Sequence, residues 1–419
     1  MSGFRHVAPA GTPIGVATLG RWAATAATTP DAVDRLAAAV CARMGVARCA
    51  PTVTGRAALV LILRALARLG PPDRTEVVIP SYTCYTVAAS VLNAGLRPHV
   101  VDIDERTLDF DRASLERVDF RRVLAIVPTN LFGMPSDLPY LDALARAHGV
   151  RLIDDAAQAM GAAVGGRRSG TWGDAGLYSL DKGKNITAIE GGLAVTRDPD
   201  VAAALETEAR SLDTPAASHV ARDAAKLLVY AVLLRPWLYW IPNSLPQLQL
   251  GTTPYFPVVP MERYNRVLAS MGLVMLDRLE AVNAARVATA ARVAEAAAGA
   301  PGLTTVPVVP DGQPVYLRYP LLADSRERRD LLIERLRARG IGATGSYPTS
   351  IVDIPELSEL MAPFRAHCPG GRSMAERILT LPTHAFVSSR DVSAIHDTLH
   401  APAEARGVTA TAAARGGRA

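Results

Sequence analysis

The chain has 419 residues and a mass of 44.3 kDa, about two to three domains' worth of polypeptide. With 49% hydrophobic and 20% charged residues, it can bury a sizeable core, and wholesale disorder is excluded. The net charge of +5 is spread along the whole length, too dilute for the basic face that a nucleic-acid partner requires.

Residues 1–30, rich in Pro, Gly and Thr, read as an N-terminal arm. They lack the charged and apolar regions of a secretory signal. A helical pattern runs from Asp31 to Met44, and Thr54-Gly55 precedes a second helix, Arg56 to Leu69, stopped by Gly70-Pro71-Pro72. Strands and helices then alternate. Glu76 to Ile79, His99 to Ile103, Val123 to Val127 and Val150 to Asp154 read as strands, with helices at Val87 to Asn93 and Leu138 to Ala147. Apolar strands alternating with helices predict an α/β fold, with a mainly parallel central sheet flanked by helices. Ligands of such sheets bind beyond the carboxyl ends of the strands, which directs attention to the loops after Ile79, Val127 and Ile153.

The stretch Leu227 to Ile241, with Tyr230, Trp237, Tyr239 and Trp240, is apolar but interrupted by Arg235 and Pro236. It is shorter than the roughly 20 residues a bilayer span needs. A helix covering the core or a subunit interface is the favoured reading, and an amphipathic element at a membrane surface the less favoured one. Beyond residue 262 come a long helix, Arg266 to Ala298, and a Pro-rich stretch, 301–310. A smaller α+β unit follows, with a strand at Tyr316 to Leu321 and a helix at Arg328 to Arg339. The expected division is an arm (1–30), a large domain (31–262), a linking helix with a small C-terminal domain (263–401) and a disordered tail (402–419). Cysteines 41, 49, 84 and 368 form no C-x-x-C pair, which points to free thiols in a reducing cytoplasm.

Only three basic residues are lysines: Lys182, Lys184 and Lys226. Two of them lie in a glycine-bounded loop, Ser179 to Gly192. About thirty residues upstream, Asp154 and Asp155 end an apolar strand, where a bare acid needs a cationic or hydrogen-bonding partner. A metal-binding pair of acids would need further oxygen ligands, and the loop offers no obvious set. A loop lysine opposite a strand-end carboxylate suits pyridoxal 5′-phosphate (PLP). The amine forms a Schiff base with the cofactor aldehyde, and the acid keeps the pyridine nitrogen protonated. Gly55, Arg56 and Ala57 at a helix start supply amides and a favourable dipole for the phosphate.

On these residues the chain resembles the DegT/DnrJ/EryC1/StrS sugar aminotransferases, fold-type I PLP enzymes, from about Thr54 to Leu399. The segments that carry the resemblance include TGRAAL, VVIPSYTCYTVAASV, AIVPTNLFGMPSDL, IDDAAQAMGA and GDAGLYSLDKGKNITAIEGG. It implies Lys184 as the Schiff-base lysine, Asp155 rather than Asp154 as the partner of the pyridine nitrogen, and Gln158 at the phenolic oxygen. Ser179, with the amides of Arg56 and Ala57, would hold the phosphate. It also implies a homodimer, an amino-acid donor (L-glutamate) and a keto-sugar acceptor, nucleotide-linked, in amino-sugar or natural-product biosynthesis.

Several positions depart from the family pattern. Arg56 replaces a small hydroxyl residue, Cys84 replaces the ring-stacking aromatic, and Asn130 replaces a common histidine. With Cys84 in that place, Tyr82 or Tyr85 could stack, or the thiol could cover the ring. Asn265 is the candidate for the asparagine that reaches a neighbouring subunit's phosphate, while Lys182 reads as a solvated charge. Two rivals share the cofactor: a sugar dehydratase, disfavoured because that branch replaces the lysine with histidine, and a non-catalytic PLP-binding sensor.

Overall fold

The computed structural model describes residues 5–244 and 254–402. A seven-stranded sheet is built from β1 (Arg48–Thr52), β2 (Glu76–Pro80), β3 (Arg97–Val101), β4 (Val123–Ile126), β5 (Arg151–Asp155), β6 (Ala175–Ser179) and β7 (Gly192–Thr196). Their spatial order is β1-β7-β6-β5-β4-β2-β3. Only β7 runs antiparallel to its neighbours; the other pairings are parallel. All four residues of β4 are buried, the pattern of a strand covered on both faces.

The principal helices are α1 (Val16–Thr28), α2 (Ala32–Met44), α3 (Gly55–Leu69), α4 (Tyr85–Asn93), α5 (Leu138–Ala147), α6 (Pro199–Arg210), α7 (Ala217–Leu233), α8 (Arg266–Leu276), α9 (Leu279–Ala297), α10 (Arg326–Ala338), α11 (Pro369–Arg377) and α12 (Ser389–His400). Helix α3 is apolar nearly all round and buries Ala57 to Leu63 without interruption, as expected of a helix enclosed by sheet and helices. A separate antiparallel sheet, β8 (Leu303–Thr305), β9 (Arg318–Ala323) and β10 (Ile378–Pro382), shares an apolar core with α9, α10 and α12.

Two sequence expectations are corrected, and a third is refined. The arm is not all loop: residues 16–28 form α1, because Trp22 is buried and its indole donates to the Val267 carbonyl at 2.9 Å. Tertiary burial outweighs local composition there. The helix expected from Arg266 to Ala298 is two helices. At the break, Asp277 pairs with Arg21 at 2.8 Å and Arg278 donates to Thr18 at 2.9 Å, tying the junction to α1. The apolar stretch after Leu227 has two faces. Leu227 and Ala231 are buried, whereas Leu228, Val229, Val232 and Trp237 face outward. No helix among the described residues is long and apolar enough to cross a membrane. The tail beyond Pro402, expected to be disordered, lies outside the described residues.

Candidate active site

Successive residues of a strand point to opposite faces, so the two acids that end β5 have different surroundings. Asp154 is fully buried: Oδ1 accepts from Asn130 Nδ2 at 2.8 Å, and Oδ2 accepts from the Gly170 and Trp172 amides at 2.5 and 3.3 Å. Burial raises its pKa to about 6 against the pull of those donors. Asp154 therefore clamps the 169–172 turn, and Asn130 completes the clamp by accepting from the Ser136 amide at 3.0 Å. Asp155 is buried too, but Oδ1 accepts only from the nearby Ala157 amide, at 2.9 Å. Among the described residues, Oδ2 has no protein donor. Burial raises the Asp155 pKa, and the positive charge of Lys184 opposes that rise. The lysine charge thus reaches the acid.

Lys184 sits in the loop between β6 and β7, held by its main chain. Its amide donates to the Asp181 carbonyl at 3.2 Å, and its carbonyl accepts from the Thr12 hydroxyl and from Arg286 Nη2 at 3.3 Å. Arg286, on α9 and 1% exposed, also donates to the Gly11 and Leu317 carbonyls at 2.8 and 3.2 Å. Burial lowers its pKa to about 10. From α7, the Tyr230 hydroxyl accepts from the Thr12 amide at 2.9 Å. The arm, α7 and α9 therefore brace the lysine loop together. Sequence reading missed Arg286, Tyr230 and Thr12. The available signal was polar Asn283, Arg286 and Thr289 at three-residue spacing on the buried side of an Ala-rich helix.

The N-terminus of α3 lies beside Ser179. A Cβ added to Gly55 would sit 3.2 Å from Ser179 Cβ and 3.3 Å from its Oγ. One added to Gly192 would sit 2.2 Å from the Thr54 carbonyl oxygen. Thr54 caps the helix, its Oγ1 accepting from the Ala57 amide at 3.1 Å. The Ala57 amide is thus engaged by the cap, and the Gly55 and Arg56 amides stand at the open helix end, where an anion is favoured. The Arg56 guanidinium turns toward the Phe256 ring, 5.7 Å from its centroid. Gly192→Ala should therefore push the Thr54–Gly55 turn away from Ser179. We expect PLP affinity, measured by titrating the apoenzyme, to fall at least about tenfold, the weight of one charge-assisted hydrogen bond. Unchanged affinity would contradict this placement.

Gln158 joins the site from the loop after β5. Its Oε1 accepts from the Phe132 amide at 3.1 Å, and its Nε2 donates to the Tyr347 hydroxyl at 2.8 Å. Tyr347, buried and not singled out from sequence, lies edge-on to Tyr82 with ring centroids 5.4 Å apart. The Tyr82 hydroxyl donates to the Gly345 carbonyl at 3.1 Å, and the Tyr85 hydroxyl accepts from the Thr349 amide at 2.8 Å. Both tyrosines anchor the 345–349 segment. Cys84 remains between them, its sulfur accepting from the Thr86 hydroxyl at 2.9 Å. Asn265 is the N-cap of α8, its Oδ1 accepting from the Leu268 amide at 2.9 Å, so that oxygen is engaged within its own chain. Lys182 is exposed.

Ser179 at the end of β6 thus lies beside the Gly55 end of α3, and the Lys184 charge acts on Asp155 at the end of β5. A free carboxylate oxygen, a loop amine and a glycine-lined helix end suit a pyridine nitrogen, an aldehyde and a phosphate in turn. The family and relatives that the chain matches make it a PLP-dependent aminotransferase of fold type I. A similar chain path is found in S. venezuelae DesV in complex with a ketimine intermediate, 26% identical, with a TM-score of 0.74 over 92% of this chain and 93% of that one. Residues 22–400 match the DegT/DnrJ/EryC1/StrS aminotransferase family, and the chain belongs to it. GDP-perosamine synthase of Caulobacter vibrioides is 29% identical over 81% of this chain and 82% of its own length. UDP-N-acetyl-3-dehydro-alpha-D-glucosamine 3-aminotransferase of Acidithiobacillus ferrooxidans is 41% identical, but the match spans 40% of this chain and only 44% of that protein.

Proposed function

We propose that the protein transfers the amino group of L-glutamate to a nucleotide-linked keto-sugar in amino-sugar or natural-product biosynthesis. The observation that carries this reading is the Lys184 charge acting on the buried Asp155 carboxyl, with Ser179 beside the glycine end of α3. Bound there, PLP supplies a carbonyl that condenses with amines and a protonated ring that withdraws electrons. Asp155 Oδ2 would hold the proton on the ring nitrogen. Ser179 Oγ and the Gly55 and Arg56 amides would hold the phosphate, and Gln158 would pack at the phenolic oxygen. Lys184 Nζ would move a proton between the reacting carbon of each substrate and the cofactor's aldehyde carbon, outward from the donor's α-carbon in the first half and onto the acceptor's former carbonyl carbon in the second. Arg286, Thr12 and Tyr230 position the loop and do not touch the reacting atoms.

We read the large sheet with its helices as one domain ending near residue 262, and the small sheet with its helices as a second, from 263 to 401. A homodimer is supported by the outward apolar face of α7, Leu228, Val229 and Val232, and a cytoplasmic location by four free cysteines. With glutamate, the visible absorption of the PLP-loaded protein should bleach. It should recover with nucleotide-linked keto-sugars, with 2-oxoglutarate released in step with bleaching. Glutamine as donor and free keto-cyclitols as acceptors extend the screen. Absorption that never bleaches with any amino acid would overturn the transferase reading in favour of a PLP-binding sensor.

A further inference from the structure

Beyond the residues already placed around the cofactor, one buried side chain of the small domain bonds directly to one of them. Tyr347 is 8% exposed, and its hydroxyl accepts from Gln158 Nε2 at 2.8 Å. The Gln158 amide is oriented from its other end. The Phe132 amide can only donate, so the atom that it bonds at 3.1 Å is the side-chain oxygen, and Nε2 is left to face Tyr347. Phe132 holds this place at φ 57° and ψ 16°, a left-handed conformation that a bulky side chain keeps only where its surroundings impose it. Beside it, a Cβ on Gly133 would sit 3.2 Å from the Gln158 carbonyl oxygen. The same loop also holds Asp155, whose carbonyl accepts from the Asn130 side chain at 2.8 Å and from the Asn130 amide at 3.1 Å. One loop therefore sets both Asp155 and Gln158.

An amide nitrogen of this kind carries two hydrogens. One goes to Tyr347, and among the described residues the second meets no acceptor. Tyr347 is well suited to take the first. Burial, with the Cys84 thiol nearby, pushes its pKa well up, so the oxygen stays a neutral hydroxyl. Its position is fixed from the large domain. The Tyr347 amide donates to the Tyr82 hydroxyl at 3.2 Å, and the Tyr82 ring lies edge-on to its own. Tyr347 cannot leave Gln158 without breaking these contacts.

We infer that Tyr347 is a positioning residue of the cofactor site: it takes one Nε2 hydrogen of Gln158 and so turns the other toward the phenolic oxygen of PLP, tying the small domain to the cofactor. The inference rests on the cofactor placement proposed above. The test compares PLP affinity and the visible absorption maximum of the PLP-loaded protein, without substrate, in Tyr347→Phe, Gln158→Met and the double variant. Tyr347→Phe keeps the ring and should weaken PLP about fivefold, the weight of one neutral hydrogen bond. It should also shift the maximum, because hydrogen bonds to the cofactor tune its electrons. Since Tyr347 acts through Gln158, the double variant should bind PLP no more weakly than Gln158→Met alone. Thr349→Val loosens the same segment at the Tyr85 hydroxyl without touching Gln158, and should leave both readings at parental values. If Tyr347→Phe does not fold, Tyr347→His, which also lacks the hydroxyl, carries the same comparison. The proposal falls if the Tyr347 variant keeps parental affinity and maximum, if Thr349→Val changes them as much, or if the two single losses add in the double variant. A parent chain that develops no visible absorption with PLP would instead remove the function proposed above, and this inference with it.

Discussion

Lys184→Ala should abolish transamination while leaving the fold almost untouched. Loss of the proton-transferring group alone is worth about 10²–10⁴-fold in rate, and the same side chain is the covalent anchor of the cofactor. The fold should survive because the loop is held by main-chain atoms, the Lys184 carbonyl bonded by Thr12 and Arg286 and its amide bonded to Asp181. The thermal unfolding midpoint should therefore stay near the parent's, with a change inside the roughly 0.5 kcal/mol typical of neutral sites. Borohydride reduction of the PLP-loaded parent, followed by peptide mass spectrometry, should place the cofactor on Lys184. Lys182 is the internal control. It is exposed, its amide donates to the Ile189 carbonyl at 3.2 Å, and among the described residues its side chain makes no hydrogen bond or ion pair. Lys182→Ala should keep full activity. A label on Lys182, or a Lys184→Ala variant with a tenth of parental turnover, would overturn the assignment.

What was legible in the sequence follows from the range of each signal. The parallel strands β2, β4 and β5 were readable because burial on both faces turns them into short apolar runs. The strands β6 and β7 were not separated from the loop they flank, because Gly, Ala and Ser dilute their apolar pattern. The glycine at the start of α3 and the lysine loop are local features, legible in the sequence as candidates. Their braces come from elsewhere in the chain. Arg286 lies 102 residues from Lys184, Tyr347 lies 189 residues from Gln158, and no periodicity reports such pairings. Detail at the helix end was also invisible: that Thr54 engages the Ala57 amide, and that the Arg56 side chain turns to Phe256, depends on cap geometry. Helix α1 formed within a stretch that composition marked as an arm because one residue, Trp22, found a buried partner.

The two adjacent acids of β5 should separate cleanly by mutation. Asp154→Ala strands three donors, Asn130 Nδ2 and the Gly170 and Trp172 amides, at a fully buried position. Unpaired buried donors cost about 1–3 kcal/mol each, and a net loss of about 3–5 kcal/mol is expected, read from the denaturant midpoint. Asp154 also carries a pH signature. Its folded pKa is raised from 3.8 to about 6 by burial, so between those values the folded protein binds a proton that the unfolded chain has released. The contribution of this group therefore favours folding at low pH and fades as pH rises through that window. Asp154→Asn should flatten that dependence while keeping measurable activity. Asp155→Asn should do the reverse. Its Oδ1 accepts from a single local amide, so stability should change little. Removing the charge that keeps the pyridine nitrogen protonated costs what breaking a buried ion pair costs, about 3–5 kcal/mol, which is a loss of about 10²–10⁴ in turnover. Activity lost with Asp154→Asn and kept with Asp155→Asn would exchange the two roles, and with them the face of β5 on which the cofactor lies.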